Sequence, residues 1–215
     1  EAISKGALEL AGFLVENGAR VDWAGSSASG TDTDLFGASA PAHPASAGPT
    51  AAASFPPPLA AAAATGDADF VRYLLSKRPD MSGQATAEAV LIAAKEGHGH
   101  VLTALLDAGA DPNSYCRDSG VTALMHAVAS KDPALVRLLL DAGAGVNTAD
   151  YTGTTALILA AGYRSASAYD MAVLLIGAGA DPHVRDAGGR TPLSEARRRD
   201  NQLLTEYIRS LSLNP

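Results

Sequence analysis

Cysteine is nearly absent from this 215-residue chain: a lone Cys116 can close no internal disulfide, and no Asn-x-Ser/Thr acceptor occurs, so nothing marks an oxidising or secreted setting. Cationic charge is also scarce. The 16 Lys and Arg face 23 Asp and Glu, for a formal net charge of −7 and a pI near 5.1. That balance leaves no global basic surface to neutralise phosphates, which argues against nucleic acid or an anionic membrane and in favour of a partner protein with a basic surface. No apolar run approaches the roughly 18–20 residues that span a bilayer, and Glu1-Ala2-Ile3-Ser4-Lys5 lacks the order of a signal peptide. These absences lead us to expect an intracellular protein, cytoplasmic or nuclear, with no direct membrane insertion. An initiating Met is missing too, and we expect a fragment of a longer chain.

Chemistry-bearing motifs are equally sparse. No Gly-x-x-x-x-Gly-Lys-Ser/Thr phosphate loop occurs, and Gly143-Ala144-Gly145 follows a Leu-rich helical stretch rather than a strand and lacks a third glycine at the dinucleotide offset. One cysteine and five scattered histidines supply no four-ligand zinc set, so neither a metal nor a cofactor is expected. His126 has no activated Ser or Cys beside it and reads as a packed histidine rather than a base. Arg197-Arg198-Arg199, the only basic cluster, reads as a solvated face on a terminal helix. No enzyme is expected.

What the chain does have is a repeat. A Leu-Leu-x-x-Gly-Ala phrase recurs as Leu105–Ala110, Leu139–Ala144 and, with Ile176 as its second residue, Leu175–Ala180, with Gly109, Gly143 and Gly179 spaced by 34 and 36 residues. A second phrase keeps the same rhythm: Gly120-Val121-Thr122-Ala123-Leu124, Gly153-Thr154-Thr155-Ala156-Leu157 and Gly189-Arg190-Thr191-Pro192-Leu193. The threonines precede apolar runs, where a hydroxyl can accept from an unpaired helix N–H, and Pro192 stands where no N–H is missed. The phrase glycines follow Leu/Val runs and can take the left-handed conformation that ends a helix. Breaks such as Gly97-His98-Gly99 and Lys131-Asp132-Pro133 divide each stretch into an Ala-rich helix and a Leu-rich one.

These units resemble ankyrin repeats, through the Gly-x-Thr-Pro-Leu phrase, Gly97-His98, and the closing Asp111-Pro112-Asn113, Gly145-Val146-Asn147 and Asp181-Pro182-His183. The resemblance implies an all-α solenoid of stacked helix-turn-helix units joined by hairpin turns. The frame gives a partial repeat over 1–23, an Ala/Ser/Gly/Pro-rich flexible insertion over 24–56, repeats over 57–87, 88–119, 120–152 and 153–188, and a capping repeat over 189–215 whose first helix is polar. In the unit after Gly153, about three extra residues around Tyr163–Ser167 are expected to lengthen a helix–helix loop.

For function, the resemblance implies a monomeric, non-catalytic scaffold or adaptor that holds a protein on its hairpin turns and concave face. The family's variable positions fall here on Tyr115, Arg117, Asp118, Tyr151, Thr152, Thr154, Arg185 and Arg190 at the turns, and on Lys95, Glu96, Ser130 and Tyr163 at the ends of the first helices. Aromatic and arginine side chains commonly carry interface energy, which puts Tyr115, Tyr151, Arg117 and Arg185 first. Some of these side chains could instead cover neighbouring turns. Two alternatives stand beside this reading: a targeting domain of a larger enzyme or channel, or a chaperone for one basic client.

Overall fold

A computed structural model describes residues 58–77 and 83–213; the segments expected as a partial repeat over 1–23 and an insertion over 24–56 lie outside the described residues. Among the described residues, ten helices alternate in two rows. The inner row is α1 (Pro58–Thr65), α3 (Gln84–Glu96), α5 (Ala123–Ala129), α7 (Ala156–Ala161) and α9 (Pro192–Arg198). The outer row is α2 (Ala68–Ser76), α4 (Gly99–Asp107), α6 (Pro133–Asp141), α8 (Ala166–Gly177) and α10 (Gln202–Leu213). Each helix packs against its neighbours in its own row, and each inner helix packs against the outer helix that follows it. The result is the stack of helix-turn-helix units expected from the repeat.

Side-chain size separates the rows. Inner helices meet through Ala60, Ala62, Ala63, Ala89, Ala93, Ala94, Ala127, Ala160 and Ala161, all fully buried, so the backbones come close. Outer helices contribute the bulk: Val101, Leu102, Leu105, Val136, Leu139, Met171, Leu175 and Leu204 reach zero exposure in one continuous core. Burying each such aliphatic side chain stabilises the array by about 1.5–3 kcal/mol relative to exposure.

Local chemistry sets where these helices begin and end. The hydroxyls of Thr122, Thr155 and Thr191 accept from the backbone N–H of Met125, Ile158 and Ser194 at 3.3, 3.5 and 3.1 Å. At the other end the recurrent Gly-Ala closes a double backbone lock. Gly109 takes φ +89°, its N–H donates to Leu106 O at 2.9 Å, and the next N–H, of Ala110, reaches back to Leu105 O at 3.0 Å. The same pair of bonds recurs at Gly143-Ala144 and Gly179-Ala180. The phrase therefore repeats because its Leu is core, its Gly makes a left-handed turn, and its Ala turns back under the helix.

The three extra residues behave differently from the sequence expectation. Instead of lengthening a loop they enter α8, which has 12 residues where α4 and α6 have nine, with Ser165 as its cap accepting from Ala168 N at 3.2 Å. A Ser followed by Ala-x-Ala-Tyr offers both a cap and good helix formers, so the helix starts earlier.

Candidate functional site

Among the described residues, three hairpins precede α5, α7 and α9, and they carry eight of the twelve expected contact residues. In the second, the Oδ1 of Asp150 accepts from the N–H groups of Thr152 and Thr154, both at 2.9 Å, and from the Thr152 hydroxyl at 2.7 Å. In the third, Asp186 does the same for Gly188 N at 3.0 Å and Arg190 N at 2.8 Å, while its Oδ2 accepts from Arg190 Nε at 2.6 Å. Burial pushes the Asp186 pKa up, but the N–H and guanidinium of Arg190 and the N–H of Gly188 outweigh it and hold the carboxyl below the ordinary value. The first hairpin has Cys116 where the others have aspartate, and one more residue before its threonine. It keeps the backbone pair common to all three hairpins: Cys116 N donates to Val121 O at 2.8 Å, and Cys116 O accepts from Gly120 N at 2.7 Å, as Asp150 and Asp186 do in theirs. We expect Asp150→Ala to cost about 1–2 kcal/mol of unfolding free energy and Cys116→Ala to cost less than about 0.5 kcal/mol, as read by urea denaturation of the full chain. Equal losses would show that the carboxylate does not organise the turn.

Neighbouring hairpins are tied to one another. Tyr151 N donates to Ser119 O at 3.0 Å, Ala187 N to Thr152 O at 2.8 Å, and the Tyr151 hydroxyl to Arg117 O at 2.9 Å. Tyr151 is therefore at once 67% exposed and a strap across the preceding turn. Tyr115, at 53%, is exposed at the base of its own hairpin, paired through a backbone bridge to Thr122. Arg117, Asp118, Thr152 and Arg185 are exposed. Thr154 is not: only 5% exposed, it sits beneath the turn with its hydroxyl 2.9 Å from that of Thr152. Thr154 thus lies on the turn as expected but on its floor, where the Asp150 carboxylate accepts its N–H.

At the inner helix ends, Lys95 and Glu96 are exposed and 3.7 Å apart. Ser130 is half-buried, its hydroxyl donating to Ala127 O at 2.8 Å, and Tyr163 is half-buried with the Lys131 ammonium 5.3 Å above its ring. His126, also half-buried on α5, has its pKa lowered by burial and then by the charge of Lys95, which favours the neutral ring.

Four of the expected residues converge. Thr152, Thr154, Tyr163 and Arg190 line one hollow of about 370 Å³ between α7 and α9, and Ile158, Leu159, Glu195, Arg198 and Arg199 complete most of its wall. Arg198 and Arg199 were read from sequence as a solvated face. The frame itself marks them: they precede Asp200 as Lys95 and Glu96 precede Gly97, and Asp200 takes a left-handed φ of +56° as Gly97 takes +81°. Lys131, at φ +63°, fills the corresponding position after α5.

A family model described as ankyrin repeats matches residues 90–186 in three copies. The human ankyrin repeat domain-containing protein 63 is 35% identical over 137 residues, covering 61% of this chain and 35% of that protein. A probable E3 ubiquitin-protein ligase XBOS33 of rice is 40% identical over 110 residues, 48% of this chain and 21% of the ligase. The cyclin-dependent kinase inhibitor 2A of Monodelphis domestica is 32% identical over 128 residues, 59% of this chain and 71% of the inhibitor. The chain thus spans about a third of the length of the first of these.

Proposed function

We propose that this chain, which belongs to the ankyrin-repeat family, is a non-catalytic scaffold or adaptor that binds a partner protein through its hairpin turns and concave face. Ankyrin repeats in general are protein–protein interaction modules. The observation that carries the finer reading is the convergence of Thr152, Tyr163 and Arg190 on one hollow, with Tyr115, Arg117 and Lys95 exposed on the preceding repeats. The hairpins are already hydrogen-bonded to one another through Tyr151 to Ser119 and Arg117 and through Ala187 to Thr152, so little ordering cost remains there when a partner docks. The net charge of −7 favours a partner whose main surface is basic, and the isolated chain is proposed to be a monomer in the cytoplasm or nucleus.

The test is crosslinking mass spectrometry of the full chain in native extract, comparing wild type with Tyr115→Ala, Lys95→Ala and Tyr163→Ala. We expect the same partner to be lost from all three variants, with its crosslinks mapping to the hairpins and inner helix ends. Undiminished capture by every variant, or crosslinks confined to the outer helices, would overturn the proposed surface. The similarity to a probable E3 ubiquitin-protein ligase favours one second reading, that the array is the recognition part of a larger enzyme. In that case the captured protein would be modified by the parent chain.

A further inference from the structure

Asp150, Asp186 and Glu195, in and behind the wall of the hollow between α7 and α9, are spent on the protein itself, whereas its guanidinium groups are only partly used; Asp200, next to Arg199, is exposed and lies 4.0 Å from Arg164. Asp150 is turned into its own hairpin. Asp186 and Glu195 are buried, with side chains 0% and 5% exposed, and are held by Arg190 and Arg198, whose own side chains are 51% and 56% exposed. Arg190 uses its Nε on Asp186, and Arg198 meets Glu195 through Nε at 3.1 Å and Nη2. A guanidinium has five donors, so each arginine keeps N–H groups for a further acceptor. Arg199 is exposed and forms no ion pair among the described residues.

We propose that this hollow seats an acidic segment of the partner protein, with an Asp or Glu carboxylate held by Arg190, Arg198 and Arg199 and an apolar neighbour resting on Leu159 and Tyr163. The inference rests on the protein-binding reading and adds the chemistry of one contact. Three features support it. The buried carboxylates fix two of the guanidiniums in place before binding, which lowers the ordering cost. Charge along the chain is polarised: residues 164–215 carry seven Lys and Arg against six Asp and Glu, while residues 1–163 carry nine against seventeen. The two non-glycine residues with left-handed backbone among the described residues, Lys131 and Asp200, flank the hollow, one over the Tyr163 ring and one next to Arg199.

The same wall distinguishes a carboxylate from a polyanion. Asp150, Asp186 and Glu195 equal the three arginines in number, so the hollow offers directed N–H groups rather than a positive field. A planar, singly charged carboxylate matches a guanidinium edge, and a nucleic-acid backbone would meet the −7 chain with little compensation. The partner's main surface remains basic where it faces the first repeats and becomes acidic where it reaches α9.

The test is a random peptide library displayed on phage and panned on the full chain, on Arg199→Glu, and on Arg209→Glu as a charge control on outer helix α10. Arg199 is chosen because reversing it uncovers no buried carboxylate, and thermal melts would confirm that each variant is folded. Peptides retained by wild type are expected to be enriched in Asp and Glu. Their affinity should fall by about tenfold or more in Arg199→Glu and stay within about twofold in Arg209→Glu, the size expected for losing one charged hydrogen-bond partner. Retained peptides without acidic enrichment, equal binding by both variants, or displacement by single-stranded DNA would overturn the acidic seat while leaving the protein-binding reading intact. Failure to retain any peptide would also overturn the seat. The broader reading would fall only if, in addition, no protein were crosslinked in extract.

Discussion

Gly120→Ala is expected to lower the unfolding free energy by about 2–4 kcal/mol, well beyond the usual effect of adding a methyl group to a turn. Gly120 lies at φ +76°, where an L-residue costs about 1–2 kcal/mol. Its added Cβ would also fall 2.7 Å from Tyr151 Cδ1 and 2.9 Å from Tyr151 N, a backbone atom that cannot swing away. Relief would break the Tyr151 N to Ser119 O bond and lift the Tyr151 hydroxyl from Arg117 O, separating the first two hairpins. Gly109→Ala is the matched control: its φ is +89°, but nothing lies within 4 Å of the new Cβ. It should cost only the conformational penalty, about 1–2 kcal/mol. Guanidinium denaturation of both variants measures the difference, and equal losses would show that hairpin-to-hairpin contact contributes nothing beyond backbone strain.

Leu139→Ala is expected to destabilise the array by about 3–4 kcal/mol, within the range for removing a leucine from a packed core. Leu139 is fully buried on α6, which lies between α4 and α8 in the outer row. Its carbonyl also receives the Ala144 N–H of the closing lock at 2.9 Å. In a stacked array each unit contacts only its neighbours, so a weak central unit uncouples the two sides. Hydrogen exchange should therefore show α3 and α9 opening independently in Leu139→Ala and together in wild type. Leu203→Ala, at a residue 68% exposed on α10, should change stability by less than about 0.5 kcal/mol. A comparable loss from both leucines would contradict the assignment of the core to the inward-facing positions.

Local chemistry made the repeat readable from sequence. The threonine caps, the left-handed glycines and the Leu-rich and Ala-rich helices are each specified by residues within a few positions of one another, so a phrase in the sequence predicts a turn in space. Most of the candidate surface followed from the same frame, down to Lys95 and Glu96 preceding their glycine. The arginines at 198 and 199 read in sequence as the solvated face of a terminal helix, although Asp200 takes the left-handed turn that Gly97 and Lys131 take after the earlier inner helices. A residue's identity does not announce that it will tolerate this conformation.

What the sequence by itself determined is the succession of helices and their ends, because those depend on near neighbours. Tertiary structure alone decided the rest. Tyr151 became a strap because its ring meets Gly120 and its hydroxyl meets a carbonyl 34 residues earlier. Thr154 turned inward under Asp150, and Glu195 was buried with Arg198 to hold it. The hollow formed only because one repeat's turn and inner helix lie against the next, bringing Tyr163 and Arg190 to a common wall. The Tyr151 strap and the hollow join residues about one repeat apart, whereas Asp150–Thr154 and Glu195–Arg198 are near neighbours whose burial alone came from stacking; no local pattern encodes the size, charge and direction of a neighbour that only stacking supplies.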